Sequence, residues 1–350
     1  MITTSRSATD SKLDSGEGAE MLTTRLTEKL GIRHPIVQAP IGSLARAELV
    51  AAVCNAGGLG MLAMPFQTPD FVRAQIRLTR TMTTQPFGVN FLLSVATPQG
   101  LDAQLAVCIE ERVPVASFFW GAAAAFVPRC HAAGIAVMHQ VGTTDEARQA
   151  VDGGVDLVIA QGVEAGGHVR GTIGLLPLLI SIINAVPDTP VIAAGGIVDG
   201  RGLAAVLAAG ADAASIGTRF VATNESEAHP DYKKRLMSAR EVDTVHTELH
   251  HIGWPPHSPV RVLRSALTDG TEKPEDSIGR MRRGNEILDV KPFSVVMPTI
   301  HVEGRTDLMA NYAGQGVGLI EDILPAATVV ERIASQAERM MKTRLRDIVH

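Results

Sequence analysis

Eight short apolar runs alternate with longer amphipathic runs along this chain, and this alternation constrains the fold more than any other feature. The apolar runs carry almost no charge, which is typical of strands buried on both faces of a parallel sheet. The amphipathic runs have the spacing of surface helices. The predicted strands are 35–41, 59–64, 87–93, 115–120, 136–141, 157–162, 191–197 and 213–220. The main predicted helices are 46–56, 68–83, 99–111, 122–133, 143–152, 175–185 and 200–209, with a closing helix near 326–343.

Eight strand–helix units predict an α/β fold of the (β/α)8 TIM-barrel type. The chain has 350 residues, and such barrels routinely take roughly 200–250 residues as one domain. A doubly wound open sheet is the alternative, because alternation alone does not reveal whether the sheet closes. The count of eight strands favours the barrel, whose active site lies at the carboxyl ends of the strands.

The chain is expected to have three parts. Residues 1–20 are rich in Ser, Thr, Asp, Gly and Glu and lack an apolar segment, so we expect a disordered leader and no secretory signal. The barrel is predicted from 21–221 and 300–350. Residues 222–299 are richer in charge, His and Pro, which indicates an inserted, lid-like subdomain that is partly helical and packs over the barrel mouth before the C-terminal helices.

Composition excludes several classes of partner. The net charge of -5 gives no basic surface for nucleic acid or an anionic membrane. The longest apolar stretch, 173–186, contains Pro177 and is shorter than the about 20 residues of a membrane span, so it predicts a buried helix. Cys54, Cys108 and Cys130 lie in alanine-rich stretches without CxxC spacing, which favours reduced thiols and a cytoplasmic protein.

Three glycine turns follow predicted strands, and one of them carries a histidine. Residues 161–171 read Gln-Gly-Val-Glu-Ala-Gly-Gly-His-Val-Arg-Gly and place His168 just after the sixth apolar run. The turns at 195–196 and 217–218 follow the apolar residues 190–192 and 213–214. Glycine lets the backbone approach a ligand and present successive N–H groups, and an imidazole of unperturbed pKa about 6.5 can exchange a proton near neutrality. The turns therefore predict a phosphate-bearing ligand beside His168.

The order and spacing of several motifs resemble the nitronate monooxygenases, formerly called 2-nitropropane dioxygenases, which are FMN-containing TIM-barrel enzymes. The resemblance covers most of the chain and is most specific at 161–168. Each motif alone is weak, but their common order is a strong signal. The matching segments are 35–41 (PIVQAPI), 56–60 (AGGLG), 87–91 (FGVNF), 161–168 (QGVEAGGH), 194–197 (AGGI), 217–220 (GTRF), 259–264 (PVRVLR) and 312–315 (YAGQ).

The resemblance implies that FMN lies across the barrel mouth. The family often has glutamine where Ser215 stands, so main-chain groups are expected to hold the phosphate here. The implied contacts are Ala39, Pro40 and Ile41 against the isoalloxazine, Asn90, Gln140 and Gln161 hydrogen-bonded around it, and the N–H groups of Gly166, Gly195, Gly196, Gly217 and Thr218 at the phosphate. Gly167, Ser215 and Ile216 belong to the same turns and complete the predicted cofactor site.

The resemblance also implies a reaction. His168 would be the catalytic base, removing the carbon-bound proton of a nitroalkane or holding the nitronate anion over the flavin. The implied substrates are a small-molecule nitronate and dioxygen, the products are a carbonyl compound and nitrite, and the implied role is detoxification. No metal is expected, and the oligomeric state, a homo-oligomer included, stays open.

Several polar residues near these motifs have simpler interpretations than catalysis. Glu164 is most simply a loop carboxylate. Arg261 and Arg264 are either ion-pair partners or anion ligands. A histidine-rich segment has no H-E-x-x-H spacing and no cysteine nearby, so it favours a lid surface over a metal site. Its histidines are His246, His250, His251 and His257.

Two other functions remain open from the sequence. Flavin-dependent enoyl-acyl-carrier-protein reductases share the glycine and histidine signature, and a related alternative is an NAD(P)H-dependent flavin reductase. A third class is a non-redox barrel that uses the phosphate site for isomerase or lyase chemistry. The physiological substrate cannot be read from the sequence, because the path of 222–299 sets the pocket size.

Overall fold

The computed structural model describes residues 22–274, 276–284 and 286–348. Eight parallel strands form one barrel, so the predicted α/β TIM barrel is confirmed. Each predicted strand is present, most with shorter ends than expected. The barrel strands are β1 (Ile36–Gln38), β2 (Gly60–Ala63), β3 (Phe87–Leu92), β4 (Val115–Phe119), β5 (Ala136–Val141), β6 (Leu157–Gln161), β8 (Val191–Ala194) and β9 (Ala213–Ile216). The two-residue strand β7 (Gly167–His168) lies outside the barrel sheet.

The barrel closes between β1 and β2. The sheet order is β1-β9-β8-β6-β5-β4-β3-β2, which leaves these two strands at its ends. A parallel bridge joins Val37 to Leu59. The N–H of Gln38 donates to the carbonyl of Leu59 at 2.8 Å, and the N–H of Leu59 donates to the carbonyl of Ile36 at 2.9 Å. Closure excludes the open doubly wound sheet.

Helices cover the outside of the barrel. Several begin at threonines that cap free N–H groups: Thr68 accepts from Phe71 at 3.3 Å, and Thr97 accepts from Gly100 at 3.1 Å. A proline follows each of these threonines, at the helix position where the missing N–H costs nothing. The helices that follow the barrel strands are α2 (Ala47–Asn55), α3 (Pro69–Met82), α4 (Pro98–Glu110), α5 (Val127–Ala132), α6 (Thr144–Asp152), α7 (Leu175–Ala185), α8 (Gly200–Ala208) and α9 (Thr218–Val221).

The amino-terminal end of the barrel is plugged by the first helix, α1 (Arg25–Leu30). Leu26 of α1 packs into the barrel interior with side chains such as Met61 and Met138. Arg25 pairs with Asp212, just before β9, at 2.8 Å. Within the described ranges this end of the barrel is therefore closed, and the carboxyl ends of the strands are left for a ligand.

Residues 222–299 contain more strand than helix. The segment has α10 (Pro230–Ser238), β10 (Thr244–Thr247), β11 (Val260–Leu263), β12 (Gly279–Arg283) and β13 (Glu286–Val290), while β14 (Val302–Gly304) follows it. Two antiparallel sheets result, with orders β10-β11-β7 and β13-β12-β14. The first of these sheets includes the histidine of the glycine turn. The division of the chain at 221, 299 and 300 stays a prediction.

The C-terminal part carries α11 (Ala326–Arg339), which packs on α8 and continues as a π-helix over Met340–Leu345. Within the described ranges, no helix is long and apolar enough to cross a membrane. Cys54, Cys108 and Cys130 are buried free thiols, and burial raises the pKa of Cys54 to about 12. The predicted leader, 1–20, lies outside the described residues.

Candidate active site

The carboxyl ends of the barrel strands open into a cavity of about 940 Å³. His168 and all but one of the predicted cofactor residues line it. The exception is Ile216, which is buried in β9 and accepts the N–H of Ala39 at 2.9 Å through its carbonyl. The predicted residues that line the cavity are Ala39, Pro40, Ile41, Asn90, Gln140, Gln161, Gly166, Gly167, Gly195, Gly196, Ser215, Gly217 and Thr218.

The backbone around His168 is held by a short sheet and by one side chain. His168 pairs with Val260 of β11 in the antiparallel register. The amide of Gln161 donates from Nε2 to the carbonyl of His168 at 2.9 Å, and its Oε1 accepts the N–H of Arg170 at 3.0 Å. Both ends of the Gln161 amide are thus used in bracing the loop that carries the histidine.

Three aromatic residues surround the His168 ring. Trp254 stacks on it, with ring centroids 3.4 Å apart and an interplanar angle of 12°. Trp120 meets it edge-on, at 6.0 Å and 80°. The Tyr312 hydroxyl lies 3.5 Å from Nε2 and donates to the carbonyl of Val295 at 3.2 Å. This network assigns the imidazole hydrogen to Nε2, because the Tyr312 oxygen is then left to accept.

The Nδ1 atom of His168 consequently carries a free lone pair. Nδ1 is buried and has no hydrogen-bond partner among the described residues. Burial, with a smaller contribution from His250, lowers the pKa of His168 to about 3. The imidazole is therefore neutral at neutral pH. The pKa of His168 lies below the unperturbed value of about 6.5 because a charged imidazolium loses hydration in this packed site.

The glycine turns after β8 and β9 form a cradle suited to an anion. The backbone N–H groups of Gly195, Gly196 and Gly217 have no acceptor among the described residues. Gly195 and Gly196 have φ of 121° and 69°, which only glycine adopts easily. Ser215 adds a buried hydroxyl that also lacks a partner. Convergent unpaired donors of this kind fit a phosphate group.

A fourth glycine, Gly166, packs against the backbone of Gly314 in the 312–315 motif. A Cβ on Gly166 would lie 2.5 Å from the backbone nitrogen of Gly314. That N–H of Gly314 donates to Thr218 Oγ1 at 3.0 Å, so the hydroxyl of Thr218 is already engaged. The motifs at 161–168, 217–220 and 312–315 thus meet at one point.

The polar residues that the sequence left open have structural partners. Both carboxylate oxygens of Glu164 accept the N–H of Leu175, at 2.9 and 3.0 Å, where α7 begins. Arg261 is buried and donates twice to the carbonyl of Val163, at 3.1 and 2.9 Å. Arg264 pairs with Asp269 at 2.9 Å. These residues support the glycine loop and its neighbours, and they lie outside the cavity lining.

The histidine-rich segment is not gathered around a common centre. The ring of His250 is buried, with its Nδ1 3.1 Å from the carbonyl oxygen of Ser294, whereas His257 is exposed beside Glu248. In the described part of the chain, no group of three or more His, Cys, Asp or Glu side chains could hold a metal ion.

Sequence reasoning missed the aromatic residues around His168. The chain has only two tryptophans, and both contact this histidine. Trp120 has a positive φ of 63°, which is unusual for a bulky residue at the end of a strand. The sequence did offer one signal for this aromatic environment: its two tryptophans lie at the end of the predicted strand 115–120 and in the predicted lid segment 222–299.

The protein is a closed α/β barrel with a buried neutral histidine and an anion cradle at the carboxyl ends of its strands. These features are typical of a barrel enzyme with a cofactor-sized site. The model of one protein family, nitronate monooxygenase, matches residues 23–336. The chain belongs to the nitronate monooxygenase family, and it is an oxidoreductase of a flavin-dependent class. The resemblance seen in the motifs is confirmed.

Relatives with different names are similar to this chain over nearly its whole length. A (3aS,4S,5R,7aS)-5-hydroxy-7a-methyl-1-oxo-octahydro-1H-indene-4-carboxyl-CoA dehydrogenase of Mycobacterium tuberculosis is 34% identical and covers 92% of this chain and 98% of its own. A nitronate monooxygenase of Pseudomonas aeruginosa is 32% identical, with 90% and 99% covered. The structure of FabK from Thermotoga maritima superposes with a TM-score of 0.80 at 34% identity, with 94% and 100% covered.

Proposed function

We propose that this protein is an FMN-dependent nitronate monooxygenase that oxidises alkyl nitronates with dioxygen to a carbonyl compound and nitrite. The observation that carries the proposal is the neutral, buried His168 in the same cavity as an unpaired phosphate cradle. Gly195, Gly196 and Gly217 would hold the FMN phosphate through their N–H groups. When bound, FMN supplies the electron acceptor and the reactivity toward dioxygen.

The role of His168 follows from its charge state. Its imidazole can take the acidic carbon-bound proton of a nitroalkane, since the ring is uncharged before substrate binds. The imidazolium that forms then faces the nitronate anion in a site shielded from water by Trp254 and Trp120. Opposite charges attract strongly in such a site, which stabilises the bound anion.

The flavin reduction itself tests this proposal. FMN-loaded protein is mixed without oxygen with an alkyl nitronate in a stopped-flow instrument, and the visible flavin absorbance is followed. Rapid bleaching supports nitronate oxidation. If the flavin stays oxidised with nitronate but is reduced by a reduced nicotinamide cofactor, the proposal is wrong and a flavin-dependent enoyl reductase takes its place.

The variant His168→Asn tests whether His168 acts as the base. His168→Asn should lower turnover of the neutral nitroalkane by roughly 10²-fold or more, because general-base catalysis is worth about 10²–10⁴-fold. Turnover of the preformed nitronate should fall less, since no proton has to be removed. His257→Asn, an exposed histidine, is the control and should leave both rates unchanged. Equal losses on the two substrates would contradict the base role.

A second candidate function is a flavin-dependent enoyl-thioester reductase. The similarity to FabK and to a CoA-ester dehydrogenase supports this candidate. A cytoplasmic location and a role in detoxification belong to the first proposal, and the three buried free thiols support the former.

A further inference from the structure

We infer that the exposed end of the cavity is a second anion site, built on the β12–β13 hairpin to bind the phosphate groups of an extended substrate or co-substrate. The inference goes beyond the proposed function and rests on it in one respect, since the glycine cradle is taken to hold the phosphate of FMN. The hairpin site would then serve a different, phosphate-bearing molecule in the same cavity.

The charges that line the cavity are unequal. Four cationic side chains face two carboxylates, Glu227 and Asp289. Each carboxylate already has a cationic neighbour: Glu227 is 3.9 Å from Arg46, and Asp289 is 3.8 Å from Arg280, which lies outside the lining. The other cationic lining residues are Arg282, Arg283 and Lys291.

These three cations have no carboxylate partner among the described residues. Arg283 donates to the carbonyl of Phe66 at 2.9 Å, and neither Arg282 nor Lys291 forms an ion pair within the described part of the chain. All three side chains are exposed. A cluster of unpaired, hydrated cations at a cavity entrance attracts anions and favours their binding over neutral ligands.

The hairpin holds these cations on a folded platform. β12 pairs with β13 on one side and with β14 on the other, and the N–H of Arg282 donates to the carbonyl of His301 at 3.0 Å. Beneath the sheet, Ile278, Val290 and Val302 are buried in a separate apolar cluster. The backbone that carries Arg282 and Arg283 is therefore held in a three-stranded sheet, and Lys291 follows β13 directly.

Apolar surface beside the cations indicates the rest of the ligand. Phe66 and Ile252 line the cavity and remain 48% and 42% exposed. Phe66 also has a positive φ of 59°, which is unusual for a bulky residue. An exposed apolar surface next to unpaired cations fits a molecule with an organic ring and phosphates, such as an adenine nucleotide.

A small nitronate carries no phosphate, so it would not use this site. Two classes of molecule share the required chemistry: a coenzyme A thioester, which is a substrate, and a reduced nicotinamide adenine dinucleotide, which is a co-substrate. Arginine guanidinium groups bind phosphate oxygens in pairs, and lysine adds a point charge. The shared ligand is therefore the phosphorylated adenosine end.

Binding to oxidised, FMN-loaded protein tests this inference. Free coenzyme A, NADH and NADPH are titrated separately by calorimetry, with pantetheine as a probe that lacks the nucleotide. We expect at least one nucleotide to bind, pantetheine to bind far more weakly, and the affinity to fall as salt is raised, because salt screens exposed charges. Coenzyme A binding would identify the thioester source, and NADH or NADPH binding the nicotinamide source.

A double variant locates the site. Arg282→Gln combined with Lys291→Gln should lower the affinity for the nucleotide that binds by about tenfold or more, because charge-assisted hydrogen bonds are lost. The control is Arg148→Gln combined with Lys234→Gln, which removes the same charge from two exposed surface ion pairs. This control should leave the affinity for the nucleotide unchanged. Arg283 is left intact because it fixes the hairpin to Phe66.

Two results would overturn the inference: no nucleotide binds the wild-type protein, or the hairpin double variant binds as tightly as the control. Either result is independent of the proposed nitronate oxidation, because the titrations use oxidised enzyme without turnover. A flavin that nitronate fails to reduce would, in turn, leave the binding result standing.

Discussion

Replacing His168 by asparagine should make the folded protein less sensitive to acid. Burial lowers the pKa of His168 from 6.5 to about 3. Above pH 6.5 the imidazole is neutral in both the folded and the unfolded state, so it adds no pH dependence. As the pH falls below 6.5, the unfolded chain binds a proton that the folded protein refuses until about pH 3. The wild-type protein therefore loses stability through that window.

The size of the effect follows from the separation of the two pKa values. Each pH unit inside the window is worth about 1.36 kcal/mol. About pH 5 lies roughly 1.5 pH units below the unfolded pKa of 6.5, so His168 should lower the free energy of unfolding of the wild type by about 2 kcal/mol relative to about pH 8. Asparagine does not titrate, so this part of the acid sensitivity should vanish in His168→Asn.

Urea unfolding with excess FMN, followed by far-ultraviolet circular dichroism at both pH values, measures this difference. The quantity compared is the change in unfolding free energy between the two pH values, for wild type and variant. His257→Asn, which alters an exposed ring, should behave like the wild type. If the wild type and His168→Asn lose equal stability on acidification, His168 is not held neutral by burial and the reasoning fails.

Two further substitutions test the cradle and the aromatic shield. Gly217→Asp should strip FMN because its carboxylate would repel the phosphate, whereas Gly217→Asn should retain FMN. A Cβ at this position meets only Ala39 Cβ, at 3.7 Å, so the two variants differ in charge and not in fit. The flavin-to-protein ratio after gel filtration measures the difference. A fully loaded aspartate variant would move the phosphate elsewhere. Trp254→Ala should admit water to His168 and raise its pKa to within about one unit of 6.5, as read by NMR of labelled histidine; a pKa that stays near 3 would show that other groups shield the ring.

The sequence predicted the barrel because each strand is short, apolar and followed by a recognisable turn. The strand ends were overestimated where glycine interrupts an apolar run: β8 ends at Ala194, since Gly195 and Gly196 adopt positive φ. The predicted helix 122–133 begins only at Val127. Local residue preferences set where an element lies, and the backbone of the turn sets where it stops.

The candidate site was only partly predictable. The glycine turns and His168 follow strands directly, so their place at the carboxyl end of the barrel could be deduced from chain order. The stacking of Trp254 on His168 could not, because it depends on the path of residues 222–299. The same holds for the neutral charge of His168, which results from contacts between residues far apart in the chain.

The pairing of β7 with β11 has a consequence for how the enzyme is made. His168 is hydrogen-bonded through its strand to Val260, a residue almost a hundred positions later in the chain. During synthesis the eight barrel strands are complete before that partner leaves the ribosome, because chains emerge from their amino-terminal end. A nascent chain stopped after β9 would lack the strand that orients the histidine. Catalytic competence should therefore appear later in biogenesis than the barrel itself.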